Sequence, residues 1–209
     1  MTISKTELLS SCENGDIILF DTRGHWYDTL IKLWTRSKFS HIGIVIRDLE
    51  IEGVKVGTCL LESGSEPFPD TVRGIDITGV RVSKLADVLD EYIDNKSGFV
   101  YYRKAQCNRS EAFFANLKSS IETTYALPYD VLPQDWLRAA FGIQSGKRTE
   151  RDNTFWCSAL VAYVYDKLGF LPRDCPWTLI SPRQFSFYEG KQLTFGGDLS
   201  LEPEVLVDL

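Results

Sequence analysis

Three observations predict an α+β fold. Apolar runs of strand length recur at 15–20, 41–47, 54–62 and 99–102. Segments with apolar residues at helical spacing occupy 25–36, 84–93, 110–124 and the stretch from Cys157 to Gly169. The two kinds are mixed rather than strictly alternating, which argues against a regular βαβ array. The expected architecture is a small antiparallel sheet packed on the helix that opens at Cys157. It forms a single domain over 1–209 with a core about 14–185.

Gly15-Asp16-Ile17-Ile18-Leu19-Phe20 is a short apolar run after a turn residue, hence a buried strand. Trp26, Leu30, Leu33 and Trp34 mark one face of a short helix. The strand at 41–47 follows, then another ending Cys59-Leu60-Leu61-Glu62. Residues 63–74 are rich in Ser, Pro, Gly and Asp and read as a loop. Leu85, Val88, Leu89 and Tyr92 share a helix face, as do Phe113, Phe114, Leu117 and Ile121 further on. The segment 127–153 is loop-like, with a short helix at 134–141. Gly169 is a left-handed stop for the last helix. A proline-punctuated region and an acidic tail at 198–209 close the chain.

The composition narrows the function. Hydrophobic residues make up 44% of the chain, enough for a packed core. The net charge of -6 argues against a nucleic-acid partner, which selects a basic face. Five cysteines without a C-x-x-C pair read as reduced thiols, and no secretory or myristoyl signal is visible at the start. The expected location is therefore cytoplasmic or otherwise intracellular. No cofactor and no metal are expected, because no ligand pairs stand at finger or zincin spacing. Gly142 to Arg148 imitates a phosphate loop. It has too few residues between its glycines and lacks the final Ser or Thr.

Cys157 opens its helix, with Asn153 or Thr154 as expected N-cap, and lies on the apolar face. Free N–H groups and the dipole at a helix start favour a thiolate and can hold an oxyanion. A lone cysteine is more often a small core residue, and Cys12, Cys59, Cys107 and Cys175 keep that reading. His41 opens a core strand, where Gly43 on its face leaves a gap that the Cys157 helix start would fill. His25 reads as surface or groove-lining. Glu62 interrupts an apolar run, and a hairpin pairing Ile44 with Cys59 sets it directly opposite His41. Asp16 and Glu66 are weaker candidates to orient the ring.

These segments, together with Leu61-Glu62-Ser63, Leu127-Pro128-Tyr129-Asp130 and Trp156-Cys157-Ser158-Ala159-Leu160-Val161, resemble the circularly permuted branch of the NlpC-type papain-like hydrolases. These are the YiiX-like proteins, with poxvirus and lecithin:retinol acyltransferase-like relatives. The histidine precedes the cysteine, which is the permuted order. The resemblance covers roughly 14–185, including Ile180-Ser181-Pro182 after the Cys helix. It implies a catalytic triad of Cys157, His41 and Glu62. Tyr129 and Trp156 are the expected substrate-binding residues, with packing as the alternative for Tyr129. Ala159 departs from the family, which often has an acidic residue there.

The expected activity is that of a thiol hydrolase or acyltransferase. It would act on an amide or ester of a small-molecule, lipid or peptide substrate through an acyl-thioester. The alternative is a catalytically silent lipid- or peptide-binding module. A third reading is a scaffold at a virion or membrane, with peripheral membrane contact. Trp26, Tyr27, Trp34 and Phe39 either line an apolar groove or pack in the core.

Overall fold

The computed structural model describes residues 1–22, 37–95, 98–129, 156–189 and 193–208, without the side chains of 94 and 95. The expected helices at 25–36 and 134–141, His25, Asn153 and Thr154 lie outside them. The strands are β1 (Thr2–Ser4), β2 (Ile17–Asp21), β3 (His41–Ile46), β4 (Glu50–Ile51), β5 (Val54–Lys55), β6 (Cys59–Pro69), β7 (Asp76–Lys84), β8 (Phe99–Arg103), β9 (Ala105–Gln106), β10 (Ser200–Leu201) and β11 (Val205–Asp208). The α-helices are α1 (Lys5–Ser11), α2 (Leu85–Asp90), α3 (Glu111–Thr124) and α4 (Cys157–Lys167).

The sheet is larger than the sequence suggests. Seven strands run in the order β1-β11-β8-β2-β3-β6-β7, and all neighbours are antiparallel except β1 and β11. Alternation along each strand divides the core between its two faces. Ile17, Leu19, Ile42, Ile44, Leu61, Val80 and Val82 pack with α3 and α4. Ile18, Phe20, Val45, Leu60, Val100 and Tyr102 pack with Leu8 of α1 and with Leu85, Val88 and Leu89 of α2. In α4, Leu160, Val161 and Val164 are fully buried. Each such side chain contributes about 1.5–3 kcal/mol relative to exposure. Gly169, at φ 77°, ends the segment as expected. Among the described residues, no helix is long and apolar enough to cross a membrane.

Two expectations are corrected, and one strand is unanticipated. Residues 63–69 continue β6 instead of forming a loop. Only Cys59, Leu60 and Leu61 pair with β3, so beyond them β6 is bonded along one side, to β7. That leaves Pro67 and Pro69 room without a lost ladder donor. A register shift between Gly64 and Phe68 absorbs the irregular stretch. The acidic segment 198–209 is not a simple tail, because Val205–Asp208 is inserted between β1 and β8. Its anchor is Arg103, 1% exposed. Arg103 donates from Nε to the Glu202 carbonyl at 2.6 Å, from Nη2 to that of Leu201 at 2.9 Å, and from Nη1 to that of Phe185. Finally, β7 stands where the sequence gives no clear strand signal, because Gly79 interrupts its alternation.

Gly79 is required by its geometry. Its φ is +108°, and a Cβ there would lie 2.3 Å from the Leu127 carbonyl oxygen. Val80 donates to that same carbonyl at 2.8 Å, and Ala126 donates back to the Val80 carbonyl at 3.0 Å. The turn after α3 thus covers the outer edge of the sheet. Gly79→Ala is expected to cost about 3 kcal/mol from overpacking and backbone strain together. A urea midpoint equal to that of the native protein would contradict this account of the edge.

Candidate functional site

The site forms where the start of β3 meets the start of α4. His41 is the first residue of β3, and Cys157 is the first residue of α4. Trp156, in extended backbone conformation, is the N-cap and makes no side-chain capping bond. Its carbonyl accepts from Leu160 N–H at 3.1 Å, so the helix begins one residue before the thiol. The N–H groups of Cys157, Ser158 and Ala159 therefore have no acceptor within the helix. The Ser158 hydroxyl donates to the Ile180 carbonyl at 2.7 Å, which ties the Ile180-Ser181-Pro182 segment to this helix start.

His41 Nε2 and Glu62 Oε2 lie 2.6 Å apart. The carboxylate beside the ring is Glu62, but the register that brings it there differs from the expected one. Ile44 pairs with Leu61, not Cys59. Continuing that ladder sets Glu62 opposite Gly43, diagonal to His41. The shift is two residues, so Glu62 stays on the face of His41. A diagonal neighbour is still within reach of a long side chain.

The gap at Gly43 is also filled differently. A Cβ on Gly43 would lie 2.6 Å from Leu60 Cγ, so Leu60 occupies that space. The Cys157 helix packs instead on the opposite, isoleucine face. The Cys157 side chain hydrogen-bonds the imidazole at the first residue of the strand, where facing no longer separates them.

Burial alone would push the His41 pKa down. The hydrogen bond from the Cys157 side chain, that of Glu62 and the charges of both outweigh it, and His41 is raised to about 9. Burial would likewise push Glu62 up. The Arg81 charge and the His41 hydrogen bond and charge reverse this, lowering Glu62 to about 2. The neighbouring guanidinium is bound at close range. Arg81 Nε donates to Glu62 Oε1 at 3.0 Å, and Nη2 lies 2.9 Å from the same oxygen. That leaves Oε2 for the imidazole. Glu62 and Arg81 are direct cross-strand partners in β6 and β7.

The imidazole plane is held by aromatic rings. Tyr92, on a π-helical turn over Glu91–Asn95, stacks on His41 with centroids 5.7 Å apart and planes 11° apart. Phe20 lies 5.4 Å from His41 and 4.1 Å from Tyr92.

The sequence reading does not find Arg81, and it places Tyr92 only on an inward helix face. A signal for Arg81 exists, since it interrupts the run Val80-Arg81-Val82 as Glu62 interrupts its own. Two opposite charges in separate apolar strands are best explained by each other.

The other candidates have different surroundings. Trp156 is buried and Tyr129 partly buried, both against the α4-side core. Phe39 is fully buried in the same core. Asp16 sits at the opposite end of β2, where it accepts from Tyr102 Oη at 2.6 Å, Ala105 N–H at 2.8 Å and Glu13 N–H at 2.8 Å. It secures a strand start rather than the imidazole. Glu66 offers its backbone carbonyl to Arg81 Nη1 at 2.6 Å. All five cysteines are free. Burial pushes the Cys12 and Cys59 thiols up to about 11, which leaves them as inert core groups. Among the described residues, no group of three or more His, Cys, Asp or Glu side chains is placed to hold a metal ion.

No protein-family model and no curated protein matches this chain. Among solved structures, it is similar to the crystal structure of the metalloprotein yiiX from Escherichia coli O157:H7. The identity is 17% and the TM-score 0.48, and the match covers 75% of this chain and 66% of that one.

Proposed function

We propose that the chain is a thiol hydrolase or acyltransferase of permuted papain-like architecture, with Cys157, His41 and Glu62 as its triad. The observation that carries this reading is the dual engagement of His41. Its Nε2 bonds the Glu62 carboxylate at 2.6 Å, while its other hydrogen-bonding partner is the thiol at a helix start. One ring nitrogen is thus committed to an orienting carboxylate, which leaves Nδ1 for the sulfur. That is the nucleophile, base and orienter relation required for covalent catalysis.

The reaction follows from these roles. The thiol proton passes to His41 Nδ1, and the thiolate attacks the carbonyl carbon of an amide or ester. The tetrahedral oxyanion accepts hydrogen bonds from N–H groups at the start of α4. The carbon–leaving-group bond then breaks, and the imidazolium gives its proton to the departing amine or alcohol. An acyl-thioester remains on Cys157. Water or a second nucleophile, deprotonated by His41, attacks it and restores the thiol. Trp156, adjacent to this nucleophile in sequence, and Tyr129, which packs against the same core, are proposed to shape the acyl site.

Intact-mass measurement tests the reading and names the acyl group. After incubation with lipid extract or with peptides, the native protein should gain the mass of one acyl group, lost on hydroxylamine treatment and absent in Cys157→Ala. Retention of lipid or peptide without any covalent gain would make the chain a binding module instead.

A further inference from the structure

We propose that Arg81 is a positioning residue, the buried counter-charge that lets Cys157 and His41 face each other as thiolate and imidazolium. It acts through Glu62, and the inference rests on the hydrolase reading above.

The argument begins with burial and sign. Cys157, His41, Glu62 and Arg81 come from four different elements and are 6%, 9%, 0% and 4% exposed. Taken in that order, their ionised forms alternate in sign and sum to zero. Without the guanidinium, the same ionised site carries one uncompensated negative charge out of contact with water. Buried charge of that kind is strongly disfavoured. The site removes it by holding one further proton from solvent, which leaves the sulfur a thiol beside the imidazolium. With the guanidinium in place the site is neutral without that extra proton, so the sulfur can release it while His41 stays protonated, and Arg81 does this without touching either group.

The geometry fixes Arg81 for this task. Its Nη1 donates to the Glu66 carbonyl at 2.6 Å and the Ile77 carbonyl at 3.0 Å. Its Nε and Nη2 are both directed at Glu62 Oε1. The guanidinium carbon sits 5.3 Å from the centre of the Phe68 ring. Gly64 makes the space, since a Cβ there would lie 2.5 Å from Arg81 Nη2. Among the described residues, the other ionisable groups near the pair do not replace Arg81. Tyr92 covers the imidazole face, and strand alternation turns Asp21 away from the side of Phe20 and His41.

Iodoacetamide labelling of Cys157 against pH is the test, with the site of modification located by peptide mass. The native thiol should label readily at pH 6. In Arg81→Met, labelling at pH 6 should fall by about 10–100-fold, while the rate at pH 9.5 stays within about threefold of native. Arg81→Lys should recover part of the loss. Gly64→Ala keeps residue 81 but displaces its guanidinium, and it should move the profile in the same direction by a smaller factor. It decides the question if Arg81→Met does not fold. A folded Arg81→Met or Gly64→Ala with the native ratio of pH 6 to pH 9.5 rates overturns the inference and leaves the hydrolase reading in place. A native protein whose Cys157 does not label at pH 6 overturns both.

Discussion

Replacing Cys157 by alanine is expected to abolish turnover while leaving the fold in place. The loss should be about 10⁴-fold or more, the scale seen when a nucleophile is removed from a working triad. The sulfur is one small buried atom at the end of α4, and the packing of Leu160, Val161 and Val164 below it does not depend on it. The unfolding free energy from urea titration should therefore change by no more than about 1 kcal/mol. A second readout is more specific. Cys157 is the foremost group raising His41, so the ring should titrate lower in Cys157→Ala than in the native protein. Histidine ring proton shifts followed by NMR would show it. Undiminished turnover in this variant would remove the enzyme reading.

Glu62→Ala is expected to be the most damaging of these substitutions to stability. It deletes the carboxylate between two buried basic groups and leaves Arg81 inside the sheet without its ion partner. Breaking a buried pair in this way typically costs about 3–5 kcal/mol. The same pair predicts a pH window. His41 is raised from 6.5 to about 9, so its contribution is complete below 6.5 and is lost as pH rises through 9. Glu62 is lowered from 4.5 to about 2, so its contribution is complete above 4.5 and is lost as pH falls toward 2. Both are fully present between 4.5 and 6.5. Urea midpoints should fall from pH 6 to pH 9.5 in the native protein, with a flatter profile in Glu62→Ala. For catalysis, kcat/KM should decline through about 9 as the imidazolium loses the proton it gives to the leaving group. An alkaline limb near the ordinary histidine range would contradict the assignment of His41.

The parts of this architecture that were legible in the sequence are those with strict periodicity. The isoleucines of β3 and the apolar positions of α4 announce their elements because each buries a face against the other. Cys157, His41 and Glu62 stood out because each is a polar interruption at the end of an apolar run. The register of β3 against β6 was not legible. A slip of two residues preserves every facing, so the hydrophobic pattern cannot choose between them. Continuation of β6 through Ser63 to Pro69 was hidden because a strand bonded on one side tolerates the residues of a loop. β11 was hidden because Glu202, Pro203 and Glu204 before it carry the composition of a solvated segment. Its pairing with β1 and β8 and the long-range bonds of Arg103 reveal its place.

That buried arginine has a consequence for biosynthesis. Until residues 200–208 emerge from a ribosome, Arg103 lacks the carbonyls of Leu201 and Glu202, and β8 has one unzipped side. A nascent polypeptide stalled before that point leaves Arg103 without two of its acceptors and β8 with an open ladder, and an open strand edge is the kind of surface that chaperones recognise. Cys157, His41 and Glu62 have by then been translated. The seven-stranded sheet is complete only once β11 is in place between β1 and β8.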